Sequence, residues 1–210
     1  VEALAHEVIV DVVCAGSHTC AVTSTGSILT WGYGIATGHG TEKIVPLPRL
    51  LADLSSKGVV SVSANSSHTA CVTRGGEVFT WGYECHGKLG HGDKNGQLTP
   101  KHVEALVGVK ATTVSCGFFH TAVCTEDSHV YTFGRGDAGQ LGHGDKEHKE
   151  HKASPSLVHA LKGKNITQVQ CGYTHTMALT SSGYVFSWGR QRLVYLVMVM
   201  SNGSVRQYHP

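Results

Sequence analysis

The segment CGFFHTAVCTEDSHVYTFGRGDAGQLGHGD, residues 116–145, determines the fold because its pattern recurs along the chain. The segment ANSSHTACVTRGGEVFTWGYECHGKLGHGD, residues 64–93, has the same His-Thr pair, the same alternating run and the same Gly-His-Gly-Asp ending. The His-Thr pair occurs four times, about fifty residues apart, at what we call the register histidines: His18, His68, His120 and His175. A period of roughly this length is typical of proteins built from stacked structural repeats.

Each copy contains the signals of a short antiparallel sheet. Small apolar residues follow the His-Thr pair, and after a turn comes an alternating run rich in β-branched and aromatic residues, as in residues 77–81. Two such runs around a turn predict a β-hairpin. The alternating runs end in an aromatic residue followed by glycine: Trp31-Gly32, Trp81-Gly82, Phe133-Gly134 and Trp188-Gly189. A proline-containing linker and a return segment such as residues 109–116 then predict a unit of four strands.

This pattern resembles the repeats of the regulator of chromosome condensation family. The family signature Gly-x-x-His-Thr is complete at residues 117–121 and 172–176, while Ala15 and Asn65 replace its glycine in the first two copies. The resemblance implies a β-propeller, which the family builds from about seven blades. The physics agrees, because a lone four-stranded sheet cannot bury both of its faces, whereas radial stacking covers each face with a neighbour.

The repeats predict an all-β chain made of about four antiparallel blades in a ring that is not closed. We place the repeats in residues 1–189, as units near 1–50, 51–102, 103–157 and 158–189. Residues 1–4 repeat residues 103–106, so the chain starts inside a repeat and is expected to be part of a larger protein.

Residues 190–210 form a divergent tail with two interpretations. The alternating residues and the Asn202-Gly203 turn are consistent with a hairpin that extends the last blade. The tail is equally consistent with unrelated sequence from a truncated or mis-spliced reading frame, which is the interpretation we favour. Its apolar run, residues 193–200, is much shorter than the roughly 20 residues needed to span a bilayer.

Composition indicates a loop-rich protein without a strong charge signal. The 210 residues include 26 glycines, and the net charge of +2 does not favour a nucleic-acid or membrane partner. Three of the seven cysteines, Cys14, Cys116 and Cys171, occupy one repeat position, where we expect buried free thiols, with disulfides as the minor alternative. Free thiols are typical of a cytoplasmic or nuclear protein.

Two glycine-rich segments resemble phosphate-binding loops, but the repeat explains both. Residues 134–139 match Gly-x-Gly-x-x-Gly and residues 82–88 approach a P-loop. Neither is followed by a predicted helix, whose N-terminus would bind the phosphate. We therefore predict no cofactor and no catalytic residues, so the chain is not expected to be an enzyme.

The 15 histidines invite a metal site, but repetition favours a structural role. We expect the register histidines to hydrogen-bond backbone groups at a tight turn. The histidines of the Gly-His-Gly loops, His39, His91 and His143, are interpreted as turn residues, and we predict no metal site.

One loop insertion differs from the rest of the repeat. It concentrates charge and imidazole in seven residues: Lys146, Glu147, His148, Lys149, Glu150, His151 and Lys152. Because variable loops on a rigid scaffold often bind partners, this loop and residues 94–98 are candidate protein-binding segments.

The functional hypothesis is a protein-interaction scaffold, which leaves two alternatives open. The family resemblance implies either guanine-nucleotide exchange on a Ran-like small GTPase or the substrate-docking region of a multidomain ubiquitin ligase or kinase. The sequence carries none of the residues that would decide between them.

Overall fold

Antiparallel strands are the main regular elements of the computed structural model, which describes residues 4–144 and 150–190 and the backbone of 199–201 and 204–206. The first sheet contains β1 (Ile9–Cys14), β2 (His18–Thr23), β3 (Ile28–Gly32) and β4 (Val45–Leu50). The second contains β5 (Val59–Asn65), β6 (His68–Thr73), β7 (Val78–Gly82) and β8 (Gln97–His102). The third contains β9 (Ala111–Cys116), β10 (His120–Thr125), β11 (Val130–Gly134) and β12 (Lys152–Leu157). The fourth contains β13 (Ile166–Cys171), β14 (His175–Thr180) and β15 (Val185–Gly189).

Strands follow one another in chain order within each sheet, and every pairing is antiparallel. Short 3-10 helices lie between the strands, at Ile35–Thr37, Ala52–Leu54, Glu104–Leu106 and His159–Leu161. The all-β prediction is confirmed, and within the described residues none of the sheets closes on itself. The fourth sheet has three described strands, one fewer than the repeat predicts.

Each register histidine lies directly across from the glycine that ends the alternating run. The pairs are His18 with Gly32, His68 with Gly82, His120 with Gly134 and His175 with Gly189. Gly134 has a φ of 110°, and a Cβ there would lie 2.5 Å from the carbonyl oxygen of Phe119. The close approach of the two strands at this point therefore requires glycine.

The hydrophobic core lies between consecutive sheets. Three clusters of buried side chains each draw on two neighbouring sheets. The first includes Cys20, Ile28, Val62 and Trp81, the second Val72, Val78, Val114 and Phe133, and the third Cys124, Val130, Val169 and Ala178. The sheets therefore stack face to face as blades, and we use that word for them below.

The first strand of each blade faces a central cavity of about 450 Å³. Its lining is largely polar and includes Ser61, Ser63, Thr113, Ser115 and Gln168. Two of these serines also join neighbouring blades, since Ser63 Oγ accepts the Cys116 N–H at 2.9 Å and Ser115 Oγ accepts the Cys171 N–H at 2.8 Å.

All seven cysteines are free thiols, but their burial differs from the expectation. Cys116 is buried and Cys171 is half-buried, whereas Cys14 is exposed. The prediction that all three would be buried was wrong for Cys14, because no described blade packs against the outer face of the first sheet at that point.

In the tail, β16 (Val199–Ser201) and β17 (Ser204–Arg206) form an antiparallel hairpin. Strand β16 lies beside β15. The turn residues Asn202 and Gly203 lie outside the described residues. A hairpin was one of the two interpretations of the tail, although the less favoured one.

Candidate functional site

Three of the four register histidines hydrogen-bond the next blade through a threonine hydroxyl, a partner that the sequence analysis did not name. The Nε2 to Oγ1 distances are 2.7 Å for His18 and Thr69, 3.0 Å for His68 and Thr121, and 2.8 Å for His120 and Thr176. Each threonine hydroxyl also donates back to a loop carbonyl of the histidine's own blade, that of Ala36, Lys88 or Gln140, at 2.9, 2.7 and 2.8 Å. We call this set of histidine, threonine and carbonyl the inter-blade clasp.

The terminal aromatic of the alternating run reinforces two of the three clasps. Trp81 Nε1 donates to the Ala36 carbonyl at 2.8 Å, and Trp188 Nε1 donates to the Gln140 carbonyl at 2.9 Å. Phe133 occupies the same position in the third blade and contributes packing alone, because its ring has no N–H. Trp31 is half-buried on the first blade, where its ring faces none of the described blades.

The direction of the hydrogen bonds determines the histidine tautomer. A carbonyl oxygen only accepts, so the single hydroxyl hydrogen of Thr176 points to it and the hydroxyl oxygen accepts from His120 Nε2–H. The ring is then neutral, with a bare lone pair on Nδ1. This Nδ1 is buried without a hydrogen-bond partner in the described structure at His18, His68 and His120. Desolvation lowers the pKa of His18 and of His120 to about 4, and it also lowers the pKa of His68.

The Gly-His-Gly histidines repeat a similar arrangement within each of the first three blades. His39, His91 and His143 place Nε2 at 2.9, 2.9 and 3.1 Å from the hydroxyls of Thr30, Thr80 and Thr132. Those hydroxyls donate to the carbonyls of Thr37, Leu89 and Leu141. The histidines therefore attach the glycine-rich loop to the third strand. Across the part of the chain that is described, the structure brings together no three His, Cys, Asp or Glu side chains able to hold a metal ion.

The segment that resembles a P-loop already holds a carboxylate. Glu84 accepts backbone hydrogen bonds from Gly87, Lys88 and Leu89 at 2.5, 3.1 and 2.9 Å. These are the N–H groups that a phosphate would need, so the loop is closed from within the chain. Burial raises the pKa of Glu84, against the opposing effect of these hydrogen bonds.

An aromatic surface lies on loops of the second, third and fourth blades, at one edge of the sheets. Phe118 stacks on Tyr173 with ring centroids 4.3 Å apart, and Phe119 packs edge-on against Phe118 at 4.5 Å. His86 lies 5.6 Å from Phe119, and Arg135 covers the same ring at 5.1 Å. We call these five residues the aromatic loop cluster.

The aromatic loop cluster combines exposed apolar surface with a balanced charge. Tyr173 is 57% exposed, and Phe118 and Phe119 are half-buried. Arg135 donates to both carboxylate oxygens of Asp137, at 2.7 and 2.6 Å, which neutralises its charge and fixes its plane over the ring. Exposed aromatic side chains grouped with arginine are typical of protein-binding surfaces.

The described end of the insertion loop that we predicted as a partner site contacts the same surface. Residues 145–149, which include Lys146, Glu147, His148 and Lys149, lie outside the described residues. At the end of the loop, His151 packs against His86 with centroids 4.5 Å apart, and Glu150 pairs with Lys152 at 3.1 Å.

The sequence analysis did not identify the aromatic loop cluster. The signal lay in the two variable positions before each register histidine. The first two copies have Gly16-Ser17 and Ser66-Ser67 there, whereas the later copies have Phe118-Phe119 and Tyr173-Thr174.

Comparisons with known proteins agree with the geometry. A family model described as the RCC1-like domain matches residues 1–201. The human E3 ubiquitin-protein ligase HERC2 is 37% identical over 185 residues, which cover 86% of this chain and 4% of the ligase. The crystal structure of human WBSCR16 matches with a TM-score of 0.77 at 28% identity, over 86% of this chain and 47% of that one.

The fold is also that of Prp20p from Saccharomyces cerevisiae, which matches with a TM-score of 0.77 at 21% identity, over 93% of this chain and 46% of that one. This chain therefore spans about half the length of the solved propellers and a small fraction of the ligase. Within the described residues, no helix is both long and apolar enough to cross a membrane.

Proposed function

Because the chain belongs to the family of RCC1-like domains, we propose that it acts as a rigid scaffold that binds a protein partner through the aromatic loop cluster. The observation that carries this proposal is the exposed stack of Phe118 and Tyr173 at the boundary between the third and fourth blades. The two rings come from different blades, so the surface depends on the packing of those blades, to which the clasp between His120 and Thr176 contributes.

A scaffold that binds a partner needs no catalytic residue on the chain itself. Aromatic residues and arginine supply much of the binding energy at protein interfaces, since they bury a large area with few rotatable bonds. His151, at the described end of the insertion, extends the surface through its contact with His86. The alternating charges of the insertion are suited to the polar rim of an interface. We place the protein in the cytoplasm or nucleus, in keeping with its free thiols.

A binding comparison tests this proposal. Immobilised wild-type chain and the double variant Phe118→Ser/Tyr173→Ser are used to enrich partners from cell extract, and an enriched protein is then purified and titrated calorimetrically. Tyr184→Ser is the control, since Tyr184 is also exposed but lies in the turn between β14 and β15, at the opposite edge of the blade. We expect the double variant to weaken binding by more than about tenfold and the control to leave it unchanged. Equal affinities for all three proteins would contradict the proposal.

Substrate docking in a ubiquitin ligase is the form of this function that the 37% identity to HERC2 favours. In that case the partner of the aromatic loop cluster is a protein that becomes ubiquitinated by a catalytic domain elsewhere. The test is whether a partner that depends on Tyr173 for binding is ubiquitinated less efficiently when the ligase carries Tyr173→Ser.

Nucleotide exchange on a Ran-like small GTPase is the second candidate. It rests on the fold shared with Prp20p. The crystal structure of Prp20p is described together with the binding of Prp20p to Gsp1p and histones. An exchange factor works by binding the nucleotide-free GTPase preferentially, so it needs a surface and no catalytic side chain.

A further inference from the structure

Thr99-Pro100 in β8 and Ser154-Pro155 in β12 are the two places in the chain where a hydroxyl-bearing residue precedes proline. They occupy the same repeat position, which the first blade fills with Leu47-Pro48. Strands β8 and β12 are the outermost strands of their sheets. Proline is tolerated on an edge strand because its missing N–H would face solvent there. The same point on the outer rim of two consecutive blades therefore carries a hydroxyl group followed by proline.

Each pair lies in a bulge of its strand. In the second blade, residues 98–100 of β8 lie opposite a single residue of β7, between two paired positions. In the third blade, residues 153–155 of β12 lie opposite a single residue of β11 in the same way. Extra residues in a bulge have no partner in the ladder of the sheet. Thr99 and Ser154 are therefore on extended backbone that is not paired with the neighbouring strand.

Both hydroxyl-bearing residues are accessible, while the backbone before them is fixed. Thr99 and Ser154 are exposed, and their hydroxyls make no hydrogen bond to any of the described residues. The glycine-rich loop of the preceding blade binds the residue before each one. Its glycine N–H donates to the carbonyl of Leu98 at 2.8 Å in one case and to that of Ala153 at 2.9 Å in the other. The bulge thus presents an exposed hydroxyl on extended backbone.

We propose that Thr99 and Ser154 are phosphorylated by a proline-directed protein kinase. Proline has no N–H, so a kinase that acts here cannot rely on a hydrogen bond from the residue after its acceptor and needs an apolar pocket for the ring. The hydroxyl oxygen attacks the γ-phosphorus of magnesium-bound ATP as the bond from that phosphorus to the bridging oxygen of ADP breaks. The hydroxyl proton passes to a carboxylate base of the kinase, and ADP leaves.

The two phosphoryl groups would be added at equivalent points beside the glycine-rich loops. A Cβ at Gly92 would lie 3.3 Å from Ser154 Oγ, and a Cβ at Gly40 would lie 3.8 Å from Thr99 Cγ2. Each phosphoryl group carries a charge of about −1.5 to −2 at pH 7. Phosphorylation would therefore place negative charge on the outer rim at two successive junctions between blades.

Phosphoryl transfer to the folded 210-residue chain tests the proposal. The probe is a mitogen-activated protein kinase chosen because it phosphorylates synthetic peptides of residues 94–104 and 150–160, so that its active site accepts both sequences. After incubation with magnesium-ATP, peptide mapping by mass spectrometry should find phosphate on Thr99 and Ser154. Ser24 is the internal control, since it is exposed in the turn between β2 and β3 but precedes threonine. It should remain unmodified.

Pro100→Ala and Pro155→Ala keep both acceptors, and each should lower the rate at its own site by more than about tenfold, with the other site as the reference. Thr99→Val and Ser154→Ala retain the prolines and should abolish the signal at the altered site alone. Circular dichroism confirms that each variant is folded. The proposal would be overturned by transfer only after thermal unfolding, by modification of Ser24 at the rate of Ser154, or by unchanged rates in both proline variants.

Discussion

At the residue scale, the inter-blade clasp depends on a neutral imidazole with its proton on Nε2. The threonine hydroxyl can accept from Nε2–H only because its own hydrogen is directed to a carbonyl. Protonation places a charge on a buried ring whose Nδ1 has no hydrogen-bond partner in the described structure at His18, His68 and His120. The stability of the clasp therefore falls at low pH because its histidine becomes protonated.

Stability should fall as the pH drops from about 6.5 to about 4. The unfolded histidine has a pKa near 6.5, whereas burial lowers that of His18 and His120 to about 4, so the unfolded chain binds more protons in this window. Above pH 6.5 each of the two histidines makes its full contribution to the free energy of unfolding. Across the window from pH 6.5 to pH 4, that contribution falls by on the order of 3 kcal/mol for each histidine. Urea unfolding at pH 7.5, 6 and 5 measures the slope.

The comparison with His120→Gln isolates this effect, because other groups titrate nearby. His39 and His91, whose pKa values are also lowered by burial, act in the same direction, whereas Glu84 with its raised pKa acts in the opposite one. The variant should reduce the slope between pH 6 and 5 by about 1.4 kcal/mol per pH unit. An unchanged slope would show that His120 is not a buried neutral base.

Removing one member of a clasp should destabilise the fold through the other members. His120→Ala is expected to lower the free energy of unfolding by about 1–3 kcal/mol, since it leaves the Thr176 hydroxyl oxygen without its donor. Thr176→Val removes the opposite side of the same hydrogen bond. Because both changes break one contact, the double variant should lose less than the sum, with a coupling of about 0.5–3 kcal/mol. Strict additivity in denaturant titrations would contradict the clasp.

At the element scale, the glycine-rich loop of one blade packs flat against the aromatic side chain of the next. Gly142 has a φ of 77°, and a Cβ there would lie 2.7 Å from Trp188 Nε1. Gly90 is placed in the same way against Phe133, with a Cβ distance of 2.7 Å to Cε2. The glycines of this loop and the aromatic residues of the repeat signature are therefore two sides of one contact.

Gly142→Ala should consequently be more damaging than an ordinary glycine substitution in a turn. Gly144 is the matched control, since its φ is 90° and a Cβ there meets no atom of the described residues within 4 Å. Both substitutions carry the penalty of a positive φ, and Gly142→Ala should lose roughly 1–3 kcal/mol more because Trp188 must move away from the Gln140 carbonyl. Thermal unfolding compares the two variants. Equal melting temperatures would mean that the loop can shift away from the ring.

The strands were predictable from the sequence because each copy carries its own alternation and turn. The partners of the register histidines were not, since a period shows that positions are equivalent but does not show which copy supplies the contact. His120 binds Thr176 of the next unit, a link that no local pattern predicts. The aromatic loop cluster was missed for the opposite reason, because Phe118 and Tyr173 depart from the repeat. The charged part of the insertion at residues 146–149 stays a prediction.

At the scale of the whole molecule, the central question is whether one arc of a propeller retains the activity of a complete ring. The chain corresponds to about half of the solved propellers. An exchange factor must bind the nucleotide-free GTPase more tightly than the nucleotide-bound form, so the surface that makes this distinction would have to lie within this half.

We expect the chain not to accelerate nucleotide release from a Ran-like GTPase. Stopped-flow release of a fluorescent guanine nucleotide measures the rate with and without micromolar chain. Stimulation above about tenfold would contradict this expectation, because it corresponds to lowering the barrier to release by about 1.4 kcal/mol through one arc alone. EDTA, which removes the magnesium ion from the GTPase, serves as the positive control for release.

The inter-blade clasp also has a consequence for how such a gene can change in length. Every repeat carries both halves of the joint, a histidine for the following unit and a threonine for the preceding one. Duplication or deletion of one whole repeat in phase therefore restores a matched pair at the new junction without any compensating substitution. Duplication or deletion of only part of a repeat separates a histidine from its glycine-rich loop, and the junction then loses its carbonyl acceptor. Repeat number is thus free to vary by whole units, and the chemistry of one hydrogen-bonded joint defines the unit.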